Sequence, residues 1–337
     1  MFAIIIVMPL PSPLPVSVRS HPLVLGHLPG LGHPEAPARV RVVLDALSAR
    51  AEGRWVVDAE SPLPPEDDVI GALAWIHDKT YIERVRDASA RGSGWLDSED
   101  CGVSPGTFDA AVAAAGLALQ AALDLLNGRL QRAFLVVRPP GHHAQRERAA
   151  GYCFFNSVAL AAEAVTRGWG GPVVIADFGA LHGDGTQAHF YDRPDVGFVS
   201  VHRYPAFPGS GGADEIGAGK GRGTTRNVPL AGGSDDEVVA AAFDAALTEV
   251  CERLQPTAVL LSAGFDGHRA DPLGGLGMTE SGYRALTASA VRAAERWSGG
   301  RLLSFLEGGF DLEALAKSAR IHVAELADSS VRNRSRV

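Results

Sequence analysis

Five short apolar runs punctuate the chain, each stopping at a polar residue. They are Phe134–Val137 before Arg138, Val173–Ala176 before Asp177, Val196–Val201 before His202, Ala258–Leu261 before Ser262, and Leu302–Leu306 before Glu307. Runs this short and this apolar suit parallel strands buried on both faces. Between them lie segments with helical spacing. Asp109–Leu126 is rich in Ala and Leu, and Asn156–Arg167 carries one apolar face. Ser234–Leu254 opens with Ser234 and Glu237 at capping-box spacing, and Thr279–Trp297 and Leu312–Leu326 complete the set. Strands alternating with helices predict one three-layer α/β domain with a mainly parallel central sheet. With no internal repeat and no break in composition, the expected division is an extra N-terminal segment over 1–20, a single domain over 21–326 and a flexible polar tail over 327–337. Such sheets bind ligands outside the carboxyl ends of their strands, so the polar residues that close the runs are where chemistry is expected. The Gly-rich stretch Arg203–Asn227 reads as a surface loop able to shape a pocket.

Composition removes several classes of function. Lys and Arg number 31 against 39 Asp and Glu, a net charge of −8, and no basic stripe suggests a nucleic-acid partner. Three scattered cysteines, Cys101, Cys153 and Cys251, fit neither a disulfide framework nor a Cys-based zinc ribbon; reduced thiols are expected. The apolar opening Met1–Met8 lacks a basic flank, is too short to span a bilayer, and is followed by Pro9, Pro11, Pro13 and Pro15. The expectation is a soluble cytoplasmic protein that acts on a small molecule, with neither nucleic acid nor membrane as partner.

Four segments carry candidate chemistry. In Arg138-Pro-Pro-Gly-His-His-Ala144 a rigid turn sets His142 and His143 side by side after a strand. Imidazole titrates in the range where acid–base catalysis operates, so a pair placed there points to proton transfer. The segments 176–187 and 262–273 put Asp177, Asp184 and Asp266 at strand ends beside glycines that permit close backbone approach, and Leu306-Glu-Gly-Gly-Phe-Asp-Leu312 is a glycine turn leading into a helix.

Taken in order, these segments resemble the histone deacetylase / acetylpolyamine amidohydrolase superfamily. Further matches are Gly32-His-Pro-Glu35 with Arg39, His77-Asp78 with Tyr81, Asp100-Cys101, Gly151-Tyr-Cys-Phe-Phe-Asn156, Phe207-Pro-Gly-Ser-Gly211 and Asn227-Val-Pro-Leu230, so the likeness runs from about His21 to Leu326. It implies an arginase/deacetylase-like three-layer fold and a zinc-bound water that attacks the carbonyl of an acylated amine.

Carried over residue by residue, the resemblance breaks at the metal. The family holds zinc with an Asp and a His of an Asp-x-Asp-x-His-His motif and a later Asp. Here the ligand positions of that motif are Gly179 and Leu181, the second His survives as His182, and only the later ligand, Asp266, is present. Gly and Leu offer no donor atoms, whereas a catalytic zinc takes three protein ligands. The family's oxyanion Tyr is replaced by Phe310, a loss of roughly 10²–10³ in rate at comparable sites. No zinc is therefore expected.

Other positions persist. The resemblance pairs His142 with Asp177 and His143 with Asp184. It implies a structural potassium held by Asp177, by the carbonyls of residues 177, 179 and 181, and by Ser200 with Val201. It also implies substrate contacts at Asp100, Gly151, Tyr152, Phe207, Leu273, Gly308 and Phe310. The principal expectation is a metal-independent acid–base enzyme in which His142 and His143, with Asp266, drive an elimination, cyclisation or acyl transfer on a small acylated or amine-bearing substrate. The alternatives are a pseudo-deacetylase that binds its ligand without turning it over, and a zinc amidohydrolase with rearranged ligands in which His182 swings inward.

Overall fold

All five apolar runs become neighbouring strands of one sheet in the computed structural model, which describes residues 14–49, 53–92 and 94–328. In chain order the strands are β1 (Val16–Arg19), β2 (Trp55–Asp58), β3 (Trp95–Leu96), β4 (Ser98–Gly102), β5 (Arg132–Leu135), β6 (Val173–Phe178), β7 (Val196–Arg203), β8 (Thr225–Leu230), β9 (Ala258–Ala263) and β10 (Leu302–Leu306). β3 and β4 form a small antiparallel pair; the other eight strands form a sheet in the order β2-β1-β5-β10-β9-β6-β7-β8. Every pairing in the large sheet is parallel. The central strands β5, β6, β9 and β10 are buried at every position, which is why their sequences show no alternation. β8 lies at an edge, where Pro229 is tolerated because no further strand needs its missing N–H.

The described helices are α1 (Ala38–Ser48), α2 (Glu66–Leu73), α3 (Lys79–Arg91), α4 (Thr107–Leu126), α5 (Ser157–Trp169), α6 (Asp184–Phe190), α7 (Asp236–Leu254), α8 (Glu280–Trp297) and α9 (Leu312–Leu326). α1, α9, α8 and α7 pack in series as one layer, and α2, α4 and α5 form another. α4 is long and apolar enough to cross a membrane, yet it lies mostly buried inside the fold as a core helix.

Two expectations need correcting. The sheet begins before residue 21: β1 lies inside the segment set apart as 1–20 and is hydrogen-bonded between β2 and β5. Residues 1–13 lie outside the described residues, as does the expected tail beyond Asp328. The capping box at Ser234 does not form either. Asp235 caps α7 by accepting from the Val238 amide at 3.1 Å, while the Ser234 hydroxyl donates to the Ala231 carbonyl. The carboxylate sits one residue nearer the helix and reaches its free amides first.

Candidate active site

The loops after β5, β6, β9 and β10 meet because those four strands are neighbours, and together they build one site. Beyond β5 the chain turns through Gly141 into His142 and His143, whose rings lie 4.0 Å apart between centroids. The turn is pinned from beyond β10: Glu307 Oε2 accepts from the amides of Gly141 at 2.7 Å and His142 at 3.2 Å. The other oxygen of Glu307 accepts from the Ser262 hydroxyl. His142 Nδ1 meets Asp177 Oδ2 at 3.0 Å, and His143 Nδ1 meets Asp184 Oδ1 at 2.7 Å. Gln145 holds the second oxygen of Asp184 at 2.9 Å. Both expected dyads are thus formed, and each imidazole keeps its Nε2 free of protein partners among the described residues.

The two imidazoles are driven apart in acidity. Burial alone would lower His142, but the carboxylates of Asp177, Glu307 and Asp266 outweigh it and raise its pKa to about 10. His143 is lowered below the ordinary histidine value, first by burial and then by the neighbouring His142 cation, which together exceed the pull of Asp184. Asp266 is buried and raised to about 6, by desolvation and then by the nearby charge of Asp271.

Asp266 lies at the floor among three glycines. Its Oδ1 accepts from the Ala180 amide at 2.8 Å. A Cβ at Gly179 would stand 2.7 Å from that oxygen, and a Cβ at Gly308 would run into the other. The side-chain space at position 179 therefore opens onto Asp266. Leu181 is half-buried. His182 points elsewhere: its Nδ1 pairs with Ser210 at 2.9 Å, its Nε2 with Gln187 at 3.1 Å, and its ring packs 4.7 Å from that of His202. Among the described residues, no three His, Cys, Asp or Glu side chains converge in a metal-holding group.

Above the floor, aromatic and apolar side chains line the approach. Phe207 packs edge-on against His143 at 5.1 Å, and Tyr152 packs edge-on against Phe310 at 5.7 Å. Phe207 and Leu273 form the open rim at 44% and 40% exposure, while Tyr152 and Phe310 are half-buried. Gly151 has φ +54°, and any Cβ there would strike the His143 ring, so the close approach of this turn to the dyad requires glycine. Asp100 fastens the same turn: its Oδ2 accepts from the Gly151 amide at 3.0 Å, and its Oδ1 is buried without a partner. The Phe310 amide is already engaged with Asp271 Oδ2 at 2.6 Å, and its phenyl ring carries no donor.

At the end of β6, Asp177 stands in register with Ser200 of β7, and Phe178 with Val201. Asp177 Oδ1 is buried and accepts no hydrogen bond, an orphaned anionic oxygen beside the donors expected for a monovalent cation.

Sequence reasoning assigned no role to four contributors. Glu307 orients the histidine turn, although as the first polar residue after β10 it carried the positional signal. Asp271 ties the loop at Leu273 and Gly274 to the Phe310 turn through both its oxygens. Gln145 braces Asp184. Arg39 donates to the carbonyls of Gly309 and Glu307 and stacks over Phe310 at 5.0 Å, held by the buried Glu35, which also binds Arg138.

Residues 33–326 match the sequence profile of the histone deacetylase domain. The chain is 36% identical over 293 residues to a probable deacetylase of Archaeoglobus fulgidus, covering 87% of this chain and 80% of that protein. It is 37% identical over 286 residues to the histone deacetylase-like amidohydrolase of Pseudomonas aeruginosa, covering 83% and 73%. Among solved structures, the HD domain of HDA15 superposes with a TM-score of 0.85 at 30% identity, covering 94% of this chain and 89% of the other.

Proposed function

The chain belongs to the histone deacetylase family, and from that premise we propose that it has exchanged zinc hydrolysis for metal-independent proton transfer on a small acylated or amine-bearing molecule. The observation that carries this reading is a contrast within one site. Both His–Asp dyads are formed, at 3.0 and 2.7 Å, while the sole remaining family ligand, Asp266, is bound to a backbone amide in front of a glycine. The residues present do not fit a catalytic zinc. A carboxylate flanked by Gly179 and Leu181 supplies one ligand where three are needed, and His182 is committed to Ser210 and Gln187.

Roles follow from the acidity difference. His143, held neutral, accepts a proton at Nε2, and His142, held protonated, delivers one from its own Nε2. Asp184 and Asp177 keep the proton on each Nδ1 and fix each ring's orientation. With Phe310 in place of a hydroxyl donor, the protonated His142 would have to serve both as oxyanion donor and as acid in an acyl transfer, which favours elimination or cyclisation. The orphaned oxygen of Asp177 fits a potassium ion held with Ser200 and Val201 and the carbonyls of residues 177, 179 and 181. When bound, that ion would balance the buried charge behind the His142 dyad.

The test is a mass-spectrometric screen of acylated and amine-bearing small molecules with the chain purified without chelator. The expected outcome is a product that forms unchanged in EDTA and whose rate falls by about 10²- to 10⁴-fold in His143→Ala. Activity abolished by EDTA and restored by zinc would establish the rearranged zinc hydrolase instead. Ligand affinity in calorimetry without any product would mark a binding protein.

A further inference from the structure

Apart from the dyads, the fold contains a second cleft of about 410 Å³, within the size range of small-molecule sites. It lies between the chain just past α2 (Trp75, Ile76), the loop Gln145–Arg148 and the end of α6 at Phe190. Its apolar wall is Trp75, Ile76 and Phe190; its charged wall is Arg146, Arg148 and Arg193, with Glu147 and Glu163.

The ion pairs decide which charge is left over. Glu163 is buried and saturated, by Arg167 at 2.7 Å and Arg193 at 3.1 Å. Arg193 is further held by Asp195 at 2.8 Å. Arg146 has only a long, exposed contact of 3.4 Å to Asp78. Arg148 has no side-chain partner among the described residues. Glu147 is fully exposed; a hydrogen bond with Asp78 and then that residue's charge raise its pKa, against the opposing pull of Arg146. The cleft therefore presents one unpaired and one loosely paired guanidinium and the exposed Glu147 beside the Trp75 indole, which is 37% exposed, while its buried carboxylate is neutralised.

We propose that this cleft is a binding site for a small anion with an apolar body, its carboxylate or phosphate met by Arg146 and Arg148 and its body laid against the Trp75 indole. Guanidinium binds such groups through paired charge-assisted hydrogen bonds. The site is also close to the dyads by construction: Gln145 lines the cleft and donates to Asp184, and His189 of α6 pairs with the Ala144 carbonyl at 3.1 Å. A ligand there would sit one side chain from the His143–Asp184 pair.

Ligand-observed NMR and calorimetry with 4-fluorobenzoate, phenyl phosphate and benzylamine test the proposal. We expect one or both anions to bind the full chain with a dissociation constant of about 1 mM or tighter. Binding should weaken about tenfold or more in Arg146→Ala/Arg148→Ala, weaken again with the charge reversal Arg148→Glu, and persist in His143→Ala. The preferred anion distinguishes a carboxylate ligand from a phosphate. Three results would overturn the proposal: neither anion binds, benzylamine binds as well as they do, or affinity is lost in His143→Ala and retained in the double arginine variant, which would put the anion on the dyads.

Discussion

At the scale of single residues, two histidines adjacent in sequence are made chemically unlike by what faces them. His142 has Asp177 on its Nδ1, with Glu307 and Asp266 nearby, and stays protonated to about pH 10. His143 faces the His142 cation and is depressed. Titration followed by imidazole NMR should therefore separate them, His143 deprotonating below the free value of about 6.5 and His142 near 10. Asp177→Asn removes the strongest of the carboxylates that sustain His142, so its titration should move to lower pH while that of His143 rises, relieved of part of its neighbour's charge. Two overlapping titrations near 6.5 would remove the basis for assigning separate acid and base roles. Any turnover should follow the same pair, rising as His143 loses its proton and failing as His142 does.

At the scale of elements, the turn from β6 into α6 is where the family's chemistry is decided. It carries Gly179, Leu181, His182 and Asp184 within a few residues, and only the last still serves the dyads. Restoring the lost donors with Gly179→Asp/Leu181→His puts a side chain into the space facing Asp266, whose carboxylate must then leave the Ala180 amide. With Asp266 the set reaches the three ligands a catalytic zinc requires. The double variant, purified without chelator, should contain stoichiometric zinc by elemental analysis and melt higher with added metal, whereas the parent should contain none. Stoichiometric zinc in the parent would show that ligands other than this turn hold it. The same turn marks how far sequence reasoning reached. The central strands were legible because burial on both faces leaves unbroken apolar runs. β1, β2 and β8 were not, since short strands near or at the sheet edges mix polar and apolar positions. The seven residues of α6 are too few to show helical periodicity. Within the site, the dyads were legible through motif resemblance, but the bracing was not. Glu307 reaches Gly141 across 166 positions, and Arg39 reaches Gly309 across 270; no local pattern encodes such pairings.

At the scale of the whole molecule, the many buried histidines set how stability responds to pH. His27, His189 and His202 are lowered to about 4 and His322 to about 3, each chiefly by burial, and each is held neutral. The unfolded chain binds protons at these residues from about pH 6.5 downward, while the folded protein does so only near 4 or below. Their contribution to stability is therefore complete above about 6.5 and is lost as pH falls through the folded values. Each such residue contributes a slope of up to about 1.4 kcal/mol per pH unit. Asp266, raised to about 6, takes up a proton in the folded state over much of the same window and offsets one of them. His142 acts on the other side: with its folded value near 10, its contribution is complete below about 6.5 and declines as pH rises toward 10. Stability should accordingly peak near neutrality and fall steeply between about pH 6 and 4, before ordinary carboxylates are fully protonated. Urea midpoints measured across that range check this, and His322→Gln isolates one contributor. His322 bridges the Thr287 hydroxyl at 2.7 Å and the Ser304 hydroxyl at 2.8 Å inside the core, so replacing it should lower stability at every pH. The informative quantity is the slope, which should become shallower by about one proton. An unchanged slope would mean that His322 is no more reluctant to protonate in the fold than in the unfolded chain.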